Sequence, residues 1–275
     1  MTDRYAVIGN PIGFSKSPWI HRTFAQATGQ DLAYTVIEGP LGGFAGAVDA
    51  FRAAGGRGLN ITAPFKLDAF AYATVRSARA ELAGAANAMK FDGGRVLAEN
   101  FDGVGLVRDV VCNLATPLKG KRVLLLGAGG AARGALLPFL AELPAELVIA
   151  NRSADKAQAL ARIAAASGAS GVRGCSYAEL TGQTFDVVFN ATSASLRAEL
   201  PPVPASVFAP GALAYELAYG KGLTPFLRLA QNAGALYLAD GVGMLAEQAA
   251  EAFEWWRGVR PDTRTVIDKL RVPLV

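Results

Sequence analysis

The stretch that decides the fold is Arg122-Val-Leu-Leu-Leu126 followed by Gly127-Ala-Gly-Gly-Ala-Ala-Arg-Gly134. The apolar run is typical of a buried parallel strand, and the glycine-rich run fits the pattern G-x-G-x-x-[GA]. Glycines there permit a tight turn and a close approach to a pyrophosphate, to which a following helix directs free N–H groups. Because a strand precedes the motif and a helix follows it, we predict a Rossmann-like dinucleotide-binding domain. Its predicted cofactor contacts begin with Gly127, Ala128, Gly129, Gly130 and Ala131.

The end of the next predicted strand indicates which dinucleotide binds. An NAD-binding domain usually places Asp or Glu there to hold the ribose 2′-hydroxyl. This chain has Asn151-Arg-Ser153 instead, with Lys156 following. The Arg152 guanidinium can pair with a 2′-phosphate, with Ser153 and Lys156 in support, and no carboxylate repels it. We therefore predict NADP as the cofactor; the alternative is that Arg152 only ends the strand in solvent.

Strand-like and helical segments alternate along the whole chain, which predicts an α/β fold with parallel sheets. We expect an N-terminal α/β domain that binds substrate and carries catalysis over residues 1–103, and the Rossmann-like NADP-binding domain over 104–240. A long helix predicted at Met244–Trp256 should return to the first domain, so residues 241–275 are assigned to it.

Composition narrows the class of protein. The chain is 52% hydrophobic with 18% charged residues and a net charge of +4, which describes a globular protein with a large core. Its basic residues are scattered, whereas a nucleic-acid surface would cluster them. No apolar run approaches the roughly 20 residues of a membrane span, and the N-terminus lacks the layout of a signal peptide. We expect neither nucleic-acid nor membrane partners.

The two cysteines, Cys112 and Cys175, belong to no metal-binding or redox motif. We expect them to stay reduced and partly buried, which fits a cytoplasmic location. We predict no metal site.

Three polar clusters precede residue 104: Gly9–Pro18, Asn60–Lys66, and Asn87 with Asn100–Gly103. They offer hydroxyls, amides, one lysine and one carboxylate, a set that suits a small polyhydroxylated acid. Lys66 opens a predicted helix, where the helix dipole disfavours a cation, so a role such as protonating a developing alkoxide is indicated. Ser15, Ser17 and Asp102 could also serve only as helix caps. The lone histidine, His21, lies inside the first predicted helix, where we expect a structural residue with its hydrogen bonds satisfied.

With these clusters the sequence resembles the shikimate dehydrogenase family, and the resemblance runs nearly end to end. The matching stretches are Gly9–Pro18, Gly58–Lys66, Gly84–Asn87, Asn100–Gly105, Gly127–Gly134, Asn151–Lys156, Asn190–Ser193, Tyr219–Pro225 and Gly241–Gln248. The resemblance implies NADPH-dependent reduction of 3-dehydroshikimate to shikimate, a step of the chorismate pathway in aromatic amino acid biosynthesis.

The resemblance also implies the role of each matching residue. Lys66 would be the leading acid/base group, and Asp102 would orient it and the substrate. Ser15, Ser17 and Tyr219 would hold the substrate carboxylate, while Thr62, Asn87 and Gln248 would bind ring hydroxyls. The residues implied on the nicotinamide side are Asn190, Ala191, Thr192, Ser193, Leu217 and Gly241.

Three positions depart from the family pattern. Phe14 replaces a histidine, Phe101 replaces a threonine, and Ala88 replaces a threonine after Asn87. If both phenylalanine rings face the substrate site, they narrow it. We would then expect low shikimate turnover or a different ring substrate. The alternative is that the two rings pack against each other behind the site.

Other functions stay open on the sequence alone. A quinate enzyme, or one acting on another cyclic hydroxy acid, shares the motifs, although quinate enzymes often prefer NAD and Arg152 argues against that. A methylene-tetrahydrofolate dehydrogenase shares the two-domain layout, but the polar clusters suit a small acid better than a pterin. A non-catalytic NADP-binding regulator would not need both Lys66 and Asp102. We expect a monomer or a homodimer.

Overall fold

The computed structural model describes residues 2–274, apart from the side chain of Leu196. The chain forms two compact units. Unit 1 comprises Met1–Gly105 and Ala246–Asp268, and unit 2 comprises Leu106–Leu245 and Lys269–Val275. The whole range 241–275 was expected in the first domain, whereas residues up to Leu245 and from Lys269 onward group with unit 2. Near the C-terminus, Leu274 packs against the apolar core of unit 2.

Unit 1 contains a six-stranded mixed sheet in the order β2-β1-β3-β5-β6-β4. Its strands are β1 (Asp3–Gly9), β2 (Leu32–Glu38), β3 (Gly56–Ile61), β4 (Val75–Arg76), β5 (Ala88–Asp92) and β6 (Arg95–Glu99). Its first helices are α1 (Ser17–Thr28), α2 (Phe44–Ala53), α3 (Lys66–Tyr72) and α4 (Ala78–Ala83). β1, β2 and β3 are parallel, and β5 is antiparallel to β3 and β6. Gly93 and Gly94, both with positive φ, make the tight turn between β5 and β6.

The aromatic residues of unit 1 fix its packing. Trp256 stacks on Tyr5 with ring centroids 4.7 Å apart, and its indole nitrogen donates to the Met89 carbonyl at 2.9 Å. A Cβ on Gly58 would lie 2.6 Å from the same indole nitrogen, so only glycine allows this approach.

Unit 2 contains a six-stranded parallel sheet in the order β12-β11-β10-β7-β8-β9. Its strands are β7 (Arg122–Leu126), β8 (Glu146–Ala150), β9 (Val172–Cys175), β10 (Phe185–Asn190), β11 (Phe208–Glu216) and β12 (Tyr237–Asp240). The order is that of a doubly wound dinucleotide-binding fold. Residues 123–126 and 147–150 are fully buried, because helices cover both faces of the sheet. The predicted α/β class with a Rossmann-like domain is confirmed.

The remaining helices are α5 (Asp102–Arg108), α6 (Gly130–Ala141), α7 (Ala154–Ala166), α8 (Pro225–Asn232), α9 (Val242–Arg257) and α10 (Arg264–Leu270). α5 continues into a π-helical turn at Asp109–Asn113. Both α5 and α9 contain a boundary between the units. No helix within residues 2–274 has the combined length and apolar character that a membrane span requires.

Both cysteines are free thiols. Cys175 is buried and Cys112 is exposed, so the expected partial burial is wrong for Cys112.

Candidate active site

Lys66 is positioned by the turn that leaves β3. The Phe65 N–H donates to the Thr62 carbonyl at 3.0 Å, and the Phe65 ring is buried in the core of unit 1. That anchor fixes the start of α3, of which Lys66 is the first residue. The lysine side chain is about one-third exposed, at 35%, and its ammonium is directed to one carboxylate.

That carboxylate is Asp102, and the two side chains form the centre of a polar group in unit 1. Lys66 Nζ lies 2.5 Å from Asp102 Oδ2. Asn87 Nδ2 donates to Asp102 Oδ1 at 2.8 Å and lies 3.3 Å from Gln248 Oε1. The structure thus brings together four residues that the sequence analysis selected from widely separated stretches.

Hydrogen bonds from backbone N–H groups to side-chain oxygens fix the positions of Asp102 and Asn87. The Asp102 N–H donates to Asn100 Oδ1 at 3.1 Å, and the Phe101 N–H donates to Asn87 Oδ1 at 2.8 Å. Glu99 anchors the segment, since its buried carboxylate accepts from the Asn100 N–H at 2.8 Å and pairs with Arg79 at 2.7 Å. Asn100 and Glu99 are supporting residues, and only Asn100 stood within a predicted cluster.

The two phenylalanines that depart from the family pattern lie in different environments. Phe101 is 3% exposed, and its ring packs edge-on against Trp255 at 5.7 Å with the Arg79 guanidinium 5.6 Å from its centre. Phe14 is 93% exposed. The expectation that both rings narrow the site is wrong for Phe101, and the alternative that they pack against each other is wrong for both.

Ser15 lies on the loop between β1 and α1, and Ser17 is the first residue of α1, at the same edge of the sheet as the β3–α3 turn. Ser15 Oγ accepts from the Ser17 N–H at 3.3 Å, and Asn10 N–H donates to the Ala63 carbonyl at 3.1 Å. A Cβ on Gly9 would lie 2.5 Å from Thr62 Cγ2, so the two loops touch because position 9 is glycine. Ser15, Ser17 and Thr62 are all partly exposed.

His21 is structural, as expected, but its hydrogen bonds are not satisfied. The ring is 1% exposed and stacks on Tyr34 at 4.2 Å, yet neither ring nitrogen has a partner among the described residues. Burial lowers the His21 pKa from 6.5 to about 3, against an opposing effect of the Asn60 side chain. The expectation of a satisfied histidine is wrong.

Unit 2 has a cleft of about 470 Å³ at the carboxyl ends of its strands. Most of the predicted cofactor residues line it, namely Gly127, Ala128, Gly129, Asn151, Arg152, Ser153, Lys156, Ala191 and Thr192. Gly127 has a φ of 106°, and a Cβ there would lie 3.0 Å from the Ala191 carbonyl oxygen. Gly130 and Ala131 begin α6, so the helix N-terminus follows the turn as predicted.

The residues of this cleft fit NADP. Arg152, Ser153 and Lys156 stand exposed after β8, where a 2′-phosphate needs cations and hydroxyls. Tyr177, Arg197 and Glu199 also line the cleft, and the sequence analysis missed them because no motif marks their loops. Arg197 pairs with Glu199 at 2.9 Å and holds the pKa of that carboxyl below its usual range, with a smaller effect from Arg152.

A buried carboxylate supports the floor of the cleft. Glu216 ends β11 fully buried and accepts from Asn190 Nδ2 at 2.9 Å, the Thr224 hydroxyl at 3.2 Å and the Ser195 hydroxyl. Burial raises the pKa of the Glu216 carboxyl, against the lowering effect of these hydrogen bonds. Asn190 Oδ1 in turn accepts from the Thr192 hydroxyl at 2.7 Å. Asn190 thus lies beneath the cleft and holds Thr192 from below.

The remaining predicted residues also lie in unit 2. A Cβ on Gly241 would lie 2.1 Å from the Leu217 carbonyl oxygen, so glycine is required where these segments touch. Tyr219 is 45% exposed and belongs to unit 2, whereas the other predicted substrate residues belong to unit 1.

Three family models match successive parts of the chain. They describe a shikimate dehydrogenase substrate-binding domain at residues 7–89, a shikimate/quinate 5-dehydrogenase at 110–198 and a shikimate 5′-dehydrogenase C-terminal domain at 241–271.

Individual proteins match over the full length. A protein of Dechloromonas aromatica named shikimate dehydrogenase (NADP(+)) is 56% identical over 275 residues, covering 100% of both chains. Among solved structures, an Ael1 enzyme from Pseudomonas putida is 63% identical with a TM-score of 0.96, covering 100% of both chains. A shikimate 5-dehydrogenase from Thermus thermophilus, in complex with NADP(H) and shikimate, is 32% identical with a TM-score of 0.84 over 98% of this chain and 99% of that one.

Proposed function

The chain belongs to the shikimate dehydrogenase family, and we propose that Lys66 and Asp102 are the catalytic pair of its reaction. The protein is an NADP-dependent oxidoreductase that interconverts 3-dehydroshikimate and shikimate. The observation that carries the proposal is the 2.5 Å contact between Lys66 Nζ and Asp102 Oδ2, with Asn87 and Gln248 beside it.

The chemistry requires a proton donor at the carbonyl oxygen. NADPH supplies a hydride to the carbonyl carbon, and the negative charge that develops on the oxygen needs an acid nearby. The Lys66 ammonium stabilises that charge and transfers its proton to the oxygen, which becomes the hydroxyl of shikimate. In the opposite direction, neutral Lys66 accepts the hydroxyl proton. Asp102 fixes the lysine through one oxygen and accepts from Asn87 through the other.

Substrate recognition follows from the polar groups around this pair. Asn87, Gln248 and Thr62 bind ring hydroxyls, and the hydroxyls of Ser15 and Ser17 hold the carboxylate. The family resemblance also assigns Tyr219 to the substrate carboxylate. Phe101 lies in the core of unit 1, so we expect shikimate itself as the ring substrate and no narrowing of the site by that ring.

The cofactor residues divide by the part of NADP that they hold. Gly127–Ala131 and the N-terminus of α6 take the pyrophosphate, while Arg152 takes the 2′-phosphate with Ser153, Lys156 and Asn151 around it. Ala191, Thr192, Leu217 and Gly241 lie on the nicotinamide side, and Asn190 supports them through Thr192.

The first experiment measures NADPH formation by the purified protein with shikimate, and repeats it with NAD and with quinate. We expect efficient turnover with shikimate and NADP, and at least about tenfold lower kcat/KM when either is replaced. Tight NADP binding without turnover of any of these alcohols would contradict the proposal and favour a non-catalytic NADP-binding protein.

We propose further that the protein acts in the cytoplasm as a monomer or a homodimer. Light scattering of the purified protein tests the oligomeric state, and a larger assembly would contradict it.

A further inference from the structure

Two carboxylates stand side by side at the ends of neighbouring strands of unit 2. Glu216 ends β11 and Asp240 ends β12, and the two residues are direct partners in the parallel register. Glu216 is fully buried beneath the cofactor cleft, whereas Asp240 is partly exposed and does not line the cleft. The chemistry proposed for the protein leaves Asp240 without a role.

The Asp240 carboxylate joins two separate pieces of backbone. Its Oδ1 accepts from the Val242 N–H at 3.2 Å, at the first residue of α9. Its Oδ2 accepts from the Gly220 N–H at 3.0 Å, 20 residues earlier in the chain. Within residues 2–274 the carboxylate forms no ion pair, so these two N–H groups are its hydrogen-bonding partners. One residue thus ties the loop after β11 to the start of α9.

The loop after β11 is anchored on both sides of Tyr219. The Ala218 N–H donates to Glu216 Oε1 at 3.3 Å, and the Gly220 N–H donates to Asp240. Among the described residues nothing hydrogen-bonds to the Tyr219 hydroxyl, so its position depends on the backbone that carries it. Gly220 has a φ of 67°, and glycine restrains the chain least, so the loop needs anchors of this kind to hold one conformation.

The bonds of Asp240 also hold the loop against Gly241. The Leu217 carbonyl oxygen lies where a Cβ on Gly241 would be only 2.1 Å away, and the Gly241 N–H donates to the Ala218 carbonyl at 3.4 Å. Gly241 stands between Asp240 and Val242 in the sequence, so the two bonds of Asp240 span this close contact. The loop therefore has little room to shift while both bonds are made.

An aspartate just before a helix often serves only to cap it. Asp262 is an example within this chain, since its Oδ1 accepts from the Arg264 N–H at 2.9 Å, at the first residue of α10. The second oxygen separates the two cases. Asp262 Oδ2 pairs with the side chain of Arg264 itself, whereas Asp240 Oδ2 binds a loop that carries a proposed substrate residue.

We propose that Asp240 is a positioning residue for substrate binding, whose carboxylate fixes the loop after β11 and thereby the hydroxyl of Tyr219. The proposal rests on the proposed role of Tyr219 at the substrate carboxylate and extends it to a residue that does not touch substrate. Asp240 acts by accepting from the Gly220 N–H, while its bond to Val242 fixes the orientation of the carboxylate.

The first test is Asp240→Asn, which separates the two bonds. Asparagine caps a helix about as well as aspartate, so the bond to Val242 should persist. The side-chain nitrogen then takes the place of Oδ2 and cannot accept from the Gly220 N–H. We expect the KM for shikimate to rise about tenfold, with kcat and the KM for NADP changed by less than about threefold. An unchanged KM for shikimate would overturn the proposal.

Asp262→Asn is the matched control, because it makes the same change at another helix start. Asp262 is exposed and belongs to unit 1. We expect its substitution to leave the KM for shikimate within about twofold of the unsubstituted protein. Equal rises in the two variants would show a general effect of a weakened helix start, and the proposal would be wrong.

A double-mutant cycle with Tyr219→Phe separates positioning from a general loss of stability. If Asp240 acts through Tyr219, Asp240→Asn should change the KM for shikimate by less than about twofold once the tyrosine hydroxyl is absent. Effects that multiply in the double variant would show that Asp240 acts elsewhere, which contradicts the proposal.

A readout without catalysis distinguishes this proposal from the proposed function. Gly220 is exposed, yet its N–H is hydrogen-bonded, so NMR of the ligand-free protein should show an amide protected from exchange. In Asp240→Asn we expect this amide to exchange at least about tenfold faster, while the Val242 amide keeps its protection. A freely exchanging Gly220 amide in the unsubstituted protein would overturn the proposal even if shikimate turnover is normal. Absent turnover with the expected protection would instead refute the proposed function and leave Asp240 as the anchor of the loop.

Discussion

Lys66 and Asp102 are 36 residues apart in the sequence, and their side chains are 2.5 Å apart in the structure. The sequence singled out Lys66 because a cation is disfavoured at a helix start, and it singled out Asp102 through the resemblance to the shikimate dehydrogenase family. The sequence alone could not give the distance between the two side chains, because that distance depends on how the β5–β6 hairpin returns the chain to the end of β3.

Replacement of the lysine tests the assigned proton donor. We expect Lys66→Ala to lower kcat by about 10²–10⁴-fold, because general acid catalysis contributes an effect of that size. The KM for NADP should stay unchanged. Steady-state kinetics with Lys119→Ala as the control measures this, since Lys119 is an exposed lysine of unit 2. A kcat within threefold of the unsubstituted protein would remove Lys66 from the mechanism.

Replacement of Arg152 tests cofactor selection. Arg152→Ala should raise the KM for NADP by about 10–100-fold and leave the KM for NAD nearly unchanged, since a hydrogen bond to a charged group contributes about 1.5–3 kcal/mol. Arg162→Ala, an exposed position on the following helix, is the matched control. Equal losses for both cofactors would mean that Arg152 does not contact the 2′-phosphate.

His21 should make the stability of the protein sensitive to acid. Burial lowers its pKa from 6.5 to about 3, so the folded protein binds no proton there while the unfolded chain does. The stabilisation is complete above pH 6.5 and is lost as the pH falls towards 3. Between these two pH values, each unit by which the pH falls lowers the free energy of unfolding by about 1.4 kcal/mol, because only the unfolded chain takes up the proton.

Urea unfolding of the unsubstituted protein and of His21→Phe, compared at several pH values, measures this effect. The difference between the two free energies should be constant near neutral pH and should shift in favour of His21→Phe as the solution is acidified. A difference that does not vary with pH would show that His21 is exposed or paired in solution.

At the scale of single residues, the sequence did not predict the direction in which a side chain points. Phe14 and Phe101 are the same residue type beside predicted site residues, yet one is 93% and the other 3% exposed. The difference arises from Trp255 and Arg79, which enclose Phe101 and are distant from it in sequence. His21 lies in a helix, as predicted. Its surroundings could not be predicted, because the neighbouring side chains of Asn60 and Tyr34 come from two strands that are distant in sequence.

Strands and helices with long apolar patterns were predictable as elements. The apolar patterns predict helices at Phe44–Ala53 and Ala154–Ala166. They predict strands at Arg122–Leu126, near Val172–Cys175 and at Phe185–Asn190. The structure has these same bounds. The short helices α4 and α10 were missed, because six or seven residues are too few to show a helical period. The sequence predicts a strand at Leu213–Tyr215, whereas β11 begins at Phe208. The first part was missed because Pro210 and Gly211 interrupt the apolar run, and the register shifts there.

The ends of β10 and β11 and the start of α8 are joined by one carboxylate. Glu216→Ala would leave the donors of Asn190, Ser195 and Thr224 without their common acceptor. We expect unfolding to become easier by about 2–4 kcal/mol and the KM for NADP to rise, since Thr192 loses its support. Denaturant unfolding gives the first quantity. The control Asp155→Ala, on an exposed helix start, should cost less than about 1 kcal/mol.

At the scale of the whole molecule, each of the two units is built from two separate stretches of the chain. The chain leaves unit 1 within α5, builds unit 2, and re-enters unit 1 within α9. The sequence predicted this return from the apolar positions of the long helix. It did not predict that the chain from Lys269 onward groups with unit 2, because Leu274 is an isolated apolar residue near the C-terminus.

Each ligand should protect its own unit from hydrogen exchange. Shikimate alone is expected to slow exchange in residues 60–66 and 99–103 of unit 1, and NADP alone in 127–131 and 151–156 of unit 2. Mass spectrometry of peptides from both units measures this, with NAD as the control ligand lacking the 2′-phosphate. Protection of residues 127–131 or 151–156 by shikimate alone would contradict the assignment of the two sites.

The packing of Trp256 against Gly58 and Met89 has an optical consequence. Trp19, Trp255 and Trp256 are all the tryptophans of the chain, and all belong to unit 1. Tryptophan fluorescence therefore comes from unit 1 alone, and unit 2 contributes only the weaker fluorescence of its tyrosines. Melting of unit 1 can thus be followed by the red shift of its fluorescence in the intact chain, with no label attached and no part of the protein removed.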